Sequence, residues 1–157
     1  NLLRERIPVR DLTTILEALA DGARVSRSTD FLTEQARLRL ARTITRLYAT
    51  PEGKLEVITL HPRLEQQLAE HLQETPDGLY PAVDPGTVQR LVRQLKELAA
   101  RFNAKGLTPV ILCSPSVRLP LRRLLERYVP GVAVVSINEV LPGSEIQAVG
   151  TVTAGED

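Results

Sequence analysis

Apolar residues in the first fifty positions recur with a helical period. Leu12, Ile15, Leu16 and Leu19 stand at i, i+3, i+4 and i+7, which is one face of an amphipathic helix. Asp21-Gly22 marks its end, because glycine takes the left-handed backbone that closes a helix without a Cβ clash. Ser28, Thr29 or Asp30 can cap a second helix, and the stripe Leu32, Ala36, Leu40, Ile44 and Leu47 predicts one continuous run as far as Tyr48. Thr50-Pro51-Glu52-Gly53 is turn chemistry, after which the period changes. Lys54 to Leu60 alternates polar and apolar residues before a β-branched end, the pattern of a half-buried strand. Pro62 suits the first position of a helix running to about Gln73, since its missing N–H would have no helical partner there. Three prolines and a glycine between Thr75 and Pro85 predict a loop.

Beyond Gly86 the positions Val88, Leu91, Val92, Leu95, Leu98, Ala99 and Phe102 predict a long amphipathic helix ending near Lys105-Gly106. Strands are expected over 109–113, 132–136 and 145–152, with a basic helix over 117–128 between the first two. The order predicts an α+β chain. A small helical subdomain, residues 1–52, precedes an α/β subdomain, residues 53–157, with a mixed sheet of about four strands and parallel pairing across the basic helix. Two helices bury little by themselves, so the stripe Leu12, Ile15, Leu16 and Leu19, supported by Leu40 and Ile44, is expected to meet the second subdomain.

Composition narrows the class. Of 157 residues, 43% are hydrophobic and 25% charged, with one cysteine, a globular profile with no intrachain disulfide and no cysteine-based metal site. No apolar run reaches the ~20 residues of a membrane span, and the N-terminus lacks a signal-peptide layout. The chain is therefore expected to be soluble and cytoplasmic. It has no methionine and opens Asn1-Leu2-Leu3-Arg4, which reads as a piece of a longer protein.

Net charge is only +1, but its distribution is uneven: Lys54 to Pro85 holds two basic and six acidic residues, and Gly86 to Arg127 nine basic and two acidic. Such segregation points to a partner surface. Arg39, Arg42 and Arg46 form one stripe, and Arg118, Arg122, Arg123 and Arg127 form i, i+4 pairs on the basic helix. The commonest reading of either set is a solvated helix face. Nucleic acid is not an expected partner, because no aromatic residues interleave with the arginines and the pI of 8.1 is below the usual footprint. A protein partner or a second copy fits better, since arginine, here seventeen against three lysines, is favoured at interfaces.

Candidate chemistry is sparse. Cys113 ends the apolar run Val110-Ile111-Leu112 and is expected to be buried and inert. His61 and His71 lack zinc spacing and are expected to cap a helix or face solvent. Ser114-Pro115-Ser116 is expected to cap the basic helix. It lacks the glycines with which a backbone wraps a phosphate. No catalytic, metal-binding or cofactor-binding residue is assigned, no cofactor is expected, and an enzyme is not the expected class. The competing reading is a small α/β nucleotide-binding or hydrolase domain.

Several phrases together resemble the FlhA family of type III export gate proteins, in its third and fourth cytoplasmic subdomains. They are Ile7-Pro8-Val9-Arg10-Asp11-Leu12, Thr14-Ile15-Leu16-Glu17-Ala18-Leu19, Leu32-Thr33-Glu34-Gln35-Ala36-Arg37, Val57-Ile58-Thr59-Leu60-His61-Pro62, Ser114-Pro115-Ser116-Val117-Arg118, Leu121-Arg122-Arg123-Leu124-Leu125 and Ser136-Ile137-Asn138-Glu139-Val140. The likeness leans to the flagellar branch, with the virulence (injectisome) branch as the alternative. His61 departs from it, standing where the family usually has aspartate. The resemblance implies a ring-forming scaffold on the cytoplasmic face of the bacterial inner membrane, with the parent protein anchored through a region upstream of this chain. Its implied partners are further copies of itself, the flagellar ATPase complex and stalk protein, and export chaperone–substrate complexes engaged mainly by upstream subdomains. The first segment would then supply ring contacts through Arg39, Arg42 and Arg46. The second would face the ATPase through Arg118, Arg122, Arg123 and Arg127.

Overall fold

The computed structural model describes residues 1–154, so the last three positions of the 53–157 segment lie outside the described residues. Four strands form one sheet in the order β5-β4-β1-β6: β1 (Lys54–Leu60), β4 (Val110–Cys113), β5 (Ala133–Ser136) and β6 (Glu145–Val152). Every pairing in it is parallel, with Ile58 beside Ile111 and Ile111 beside Val134. The antiparallel component is a separate ribbon, β2 (Leu72–Thr75) with β3 (Gly78–Pro81). This ribbon falls where the prolines predict a loop. They punctuate it instead: Pro76 lies in the turn, Pro81 ends β3, and Pro85 opens α5 (Pro85–Ala104).

Parallel strands are buried on both faces, and their residues sort accordingly. On one face Ile58, Leu60, Ile111, Cys113, Val134 and Val152 pack with Leu64 and Leu68 of α4 (Pro62–Glu70), Leu91 and Leu95 of α5, and Val117 and Leu121 of α6 (Pro115–Leu125). On the other, Leu55, Val57, Val110 and Val135 pack with Ile7, with Ile15 of α1 (Leu12–Gly22) and with Leu40 and Ile44. The N-terminal helices thus cover the sheet directly.

The expected seam shifts by part of a turn. Ile15 and Ala18 are buried, but Leu12 and Leu16 are 59% and 62% exposed. Asp11 caps the helix, its Oδ1 accepting from Thr14 N at 3.1 Å, and Ile15, Ala18 and Gly22 form the inner line. The continuous second helix is also divided, into α2 (Thr29–Arg39) and α3 (Ala41–Tyr48). The break at Leu40 (φ −94°, ψ 16°) leaves that residue 2% exposed against the sheet.

Other ends follow local chemistry. His61 caps α4, its Nδ1 accepting from Arg63 N at 3.1 Å. Asp84 caps α5 by accepting from Thr87 N and Oγ1. Ser114 holds the cap position of α6, but its side chain makes no capping bond. No helix among the described residues is long and apolar enough to cross a membrane.

Candidate functional site

The densest polar construction in the fold lies beside β5, where charged side chains from four parts of the chain converge. Arg37 of α2 donates to Glu139 from Nε at 2.6 Å and from Nη2 at 3.0 Å. Arg118 of α6 donates from Nη1 to Glu5 at 2.7 Å and from Nε to Glu34 at 2.8 Å. Arg122, one turn on, brings its Nε within 3.7 Å of Glu5. Glu139 also accepts from the backbone N–H of Ser136 at 3.0 Å, closing a reciprocal cap on the short 3₁₀ turn Ile137–Glu139.

Three arginines face three glutamates, so the charge balances, with Glu139 fully enclosed and the Glu34 side chain still 27% exposed. Burial works against an ionised Glu5, yet the hydrogen bond from Arg118 and the charges of Arg118, Arg37 and Arg122 outweigh it and hold the carboxyl below its ordinary value. Burial likewise opposes the Arg118 charge, and the bonds to Glu34 and Glu5 more than restore it. Burial raises the phenol of Tyr48.

Two of the guanidinium groups also reach the backbone of the sheet at one carbonyl. The Val134 carbonyl of edge strand β5 accepts from Arg118 Nη1 at 3.0 Å and from Arg37 Nη2 at 3.2 Å. With that carbonyl taken, a further strand has one partner fewer along this edge.

This geometry corrects the expectation for the basic helix. Arg118 is fully buried and Arg122 is 8% exposed, so neither belongs to a partner surface. They turn inward because Glu5, Glu34 and Glu139 wait there. Arg123 is half-buried, pairing with Asp30 at 2.6 Å and donating to Leu79 O at 3.0 Å. Arg127 is exposed and stands over the Tyr80 ring, 5.6 Å from its centroid, a cation–π contact. Arg39, Arg42 and Arg46 are all exposed on α2 and α3, with Arg39 paired to Asp21 at 3.0 Å.

The charged partners that sequence reasoning missed are Glu5, Glu34, Arg37 and Glu139. Arg37 did carry a signal, since it stands at i, i+3 and i+7 with Leu40 and Ile44, on a face that has to be buried.

The remaining candidates offer little reactivity. Cys113 is buried, and burial pushes its thiol up, away from the nucleophilic thiolate. His71 hydrogen-bonds through Nδ1 to Gln67 O at 2.8 Å, and His61 is occupied as a cap. An apolar cleft of about 850 Å³ opens between the ribbon, α5 and the end of α6, walled by Tyr80, Pro81, Val83, Val88, Val92 and Tyr128.

The FHIPEP family model matches residues 1–145. The chain belongs to the FHIPEP family. Among curated FHIPEP-type relatives, the flagellar biosynthesis protein FlhA of Bacillus subtilis is 37% identical over 151 residues, covering 96% of this chain and 22% of that protein. FlhA of Salmonella typhimurium is 35% identical over 152 residues, covering 97% of this chain and 21% of that protein. The chain thus spans about a fifth of the length of the curated relatives it matches.

Solved structures agree. The Chlamydia pneumoniae CdsV protein superposes with a TM-score of 0.83 at 30% identity, covering 96% of this chain and 43% of that one. The nonameric EPEC SctV-C superposes with a TM-score of 0.84 at 28% identity, covering 96% and 45%. CdsV in complex with CdsO gives 0.78 at 31% identity, covering 96% and 44%. The likeness thus extends from sequence to fold over 96% of the chain.

Proposed function

We propose that this chain is a segment of the cytoplasmic ring of a flagellar protein export gate, a scaffold that receives export substrates, their chaperones and the ATPase stalk. The observation that carries this reading is the match along nearly the whole chain both to FlhA proteins and to a nonameric SctV-C ring protomer. The flagellar branch is favoured over the injectisome because FlhA proteins of several bacteria match along nearly the whole chain at 31–37% identity.

In this reading residues 1–52 form the ring-building subdomain and residues 53–157 the subdomain that faces the ATPase. The exposed stripe Arg39, Arg42 and Arg46 meets the neighbouring copy. Arg123 and Arg127 remain as the partner surface, with Arg127 the freer charge. That the similar CdsV forms a complex with CdsO supports a protein partner for a chain of this kind. Chaperone–substrate complexes and the membrane are engaged upstream of this chain, at the cytoplasmic face of the inner membrane. The reading assigns no catalysed reaction, no cofactor and no nucleic acid.

The test is a chimera in which this chain replaces the matching segment of Bacillus subtilis FlhA. Restored swimming and hook-protein export are expected. A chimera that is stably expressed and inserted but exports nothing would overturn the reading.

A further inference from the structure

The apolar cleft between the ribbon, α5 and the end of α6 has no part in the ion network. Tyr80, Val83, Val88 and Val92 lean on the core and also line this opening, so each keeps part of its apolar surface uncovered. Tyr128 lines it at 48% exposure. At about 850 Å³ the space admits several side chains, and it lies within the size range of sites that hold a ligand. Apolar surface gathered in one concavity marks an interaction site, unlike apolar residues scattered singly.

Backbone chemistry decides what form of chain fits. The wall offers few main-chain groups to an incoming strand: Pro81 and Pro85 have no N–H, and the Ala82 N–H donates to His71 O at 2.7 Å. Val88 and Val92 lie inside α5, where the backbone bonds within the helix. An extended segment pressed into this cleft would bury amides with nothing to pair them. A helix satisfies its own backbone and needs only side-chain contacts from its partner.

Charge sets the flank. Arg93 and Lys96 line the cleft from α5, both exposed, and among the described residues their side chains make no hydrogen bond or ion pair. Arg127, just past α6, stands over the Tyr80 ring. Glu97 is the one acidic residue in the lining. Three cations against one carboxylate leave a rim that attracts acidic groups.

We infer that this cleft is a docking groove for an amphipathic helix of a partner protein, apolar at i, i+3 or i+4 and i+7, with glutamate or aspartate along its flank. Its apolar side chains fill the space lined by Tyr80, Val88, Val92 and Tyr128. Its acidic flank meets Arg93, Lys96 and Arg127. The inference rests on the cleft and not on the export-gate reading, so a chimera that failed to export would leave it standing.

Fluorescence anisotropy of a labelled, leucine-faced peptide of roughly five helical turns, flanked by glutamate and titrated with the 157-residue chain, tests this. Saturable binding is expected, and the Tyr80 and Tyr128 ring resonances should move together. A peptide with lysine in place of each glutamate should bind about tenfold more weakly at low salt, and the gap should narrow as salt screens the rim. Val92→Glu should weaken the acidic peptide about tenfold or more. If that variant fails to fold, Arg93→Glu with Lys96→Glu, at two exposed positions, still decides: it should abolish the preference for acid. No saturation by about 1 mM peptide would overturn the inference. Equal affinity for the acidic and basic peptides, or tighter binding of a proline-rich peptide, would overturn it too.

Discussion

Arg37 and Glu139 stand 102 residues apart in the chain and share two hydrogen bonds, of 2.6 and 3.0 Å, with both side chains 1% exposed. Neither charge has water to fall back on. Replacing a buried ion pair by a well-packed apolar pair is often harmless, whereas removing one partner strands the other. Glu139→Gln should therefore cost about 3–5 kcal/mol, read as a lower urea midpoint with an unchanged denaturant slope. A loss below about 0.5 kcal/mol would mean that water reaches Arg37 in solution.

Glu5 gives the network a pH dependence. Its carboxyl is held below its ordinary value when folded, so the unfolded chain binds that proton more tightly. The resulting stabilisation is fully present at neutral pH. It is lost as pH falls from the ordinary glutamate value, about 4.3, through the lower folded one. Urea midpoints from pH 7 to pH 3 should fall in this window for the wild type and less steeply for Glu5→Gln. Identical slopes would assign the acid sensitivity to other carboxylates.

Adjacent residues of α1 should behave in opposite ways. Ile15 is 8% exposed and packs with Leu40 and Ile44 against the sheet, while Leu16 faces solvent. Ile15→Ala should cost about 2–5 kcal/mol, and Leu16→Ala should stay within about 0.5 kcal/mol. Equal losses in thermal unfolding would place the helix in the phase that its apolar pattern suggested.

Gly78 is the point where the ribbon meets the body. It has φ +111°, and a Cβ there would come within 2.5 Å of Asp30 Oδ2 and 2.6 Å of Arg123 Nη1. Gly78→Ala should both strain the backbone and push apart the Arg123–Asp30 pair, costing about 1–3 kcal/mol. Exchange of the Tyr80 amide should accelerate, since the β2–β3 pairing depends on this turn. Unchanged protection at Tyr80 would show that the ribbon tolerates a side chain at its hinge.

Much of the fold was legible from residue order. β6 coincides with the expected 145–152 strand, β4 and β5 fall one residue inside their expected starts, and α5 follows its apolar stripe. Those segments have a clear period and are bounded by glycine, proline or a capping residue. The β2–β3 ribbon was hidden because only Pro81 of its residues is buried, so it carries no apolar alternation. The break at Leu40 was hidden because a stripe of leucines reads alike in one helix or two. Arg118 and Arg122 were misplaced for another reason. A helix shows which of its residues share a face but not what stands opposite, and the opposing glutamates lie up to 113 residues away.

The Val134 carbonyl, held from one side by Arg37 and from the other by Arg118, sets a timetable for synthesis. Glu5, Glu34 and Arg37 leave the ribosome early, but Val134 and Glu139 follow Arg37 by 97 and 102 residues. At about 5–20 residues per second, the early charges wait roughly 5–20 s for their counterparts. Through that interval α2 can form as a helix, but docking would bury its arginine without the two hydrogen bonds to Glu139. On this timetable the N-terminal helices settle onto their face of the sheet only after β5 and the turn at Glu139 have been made.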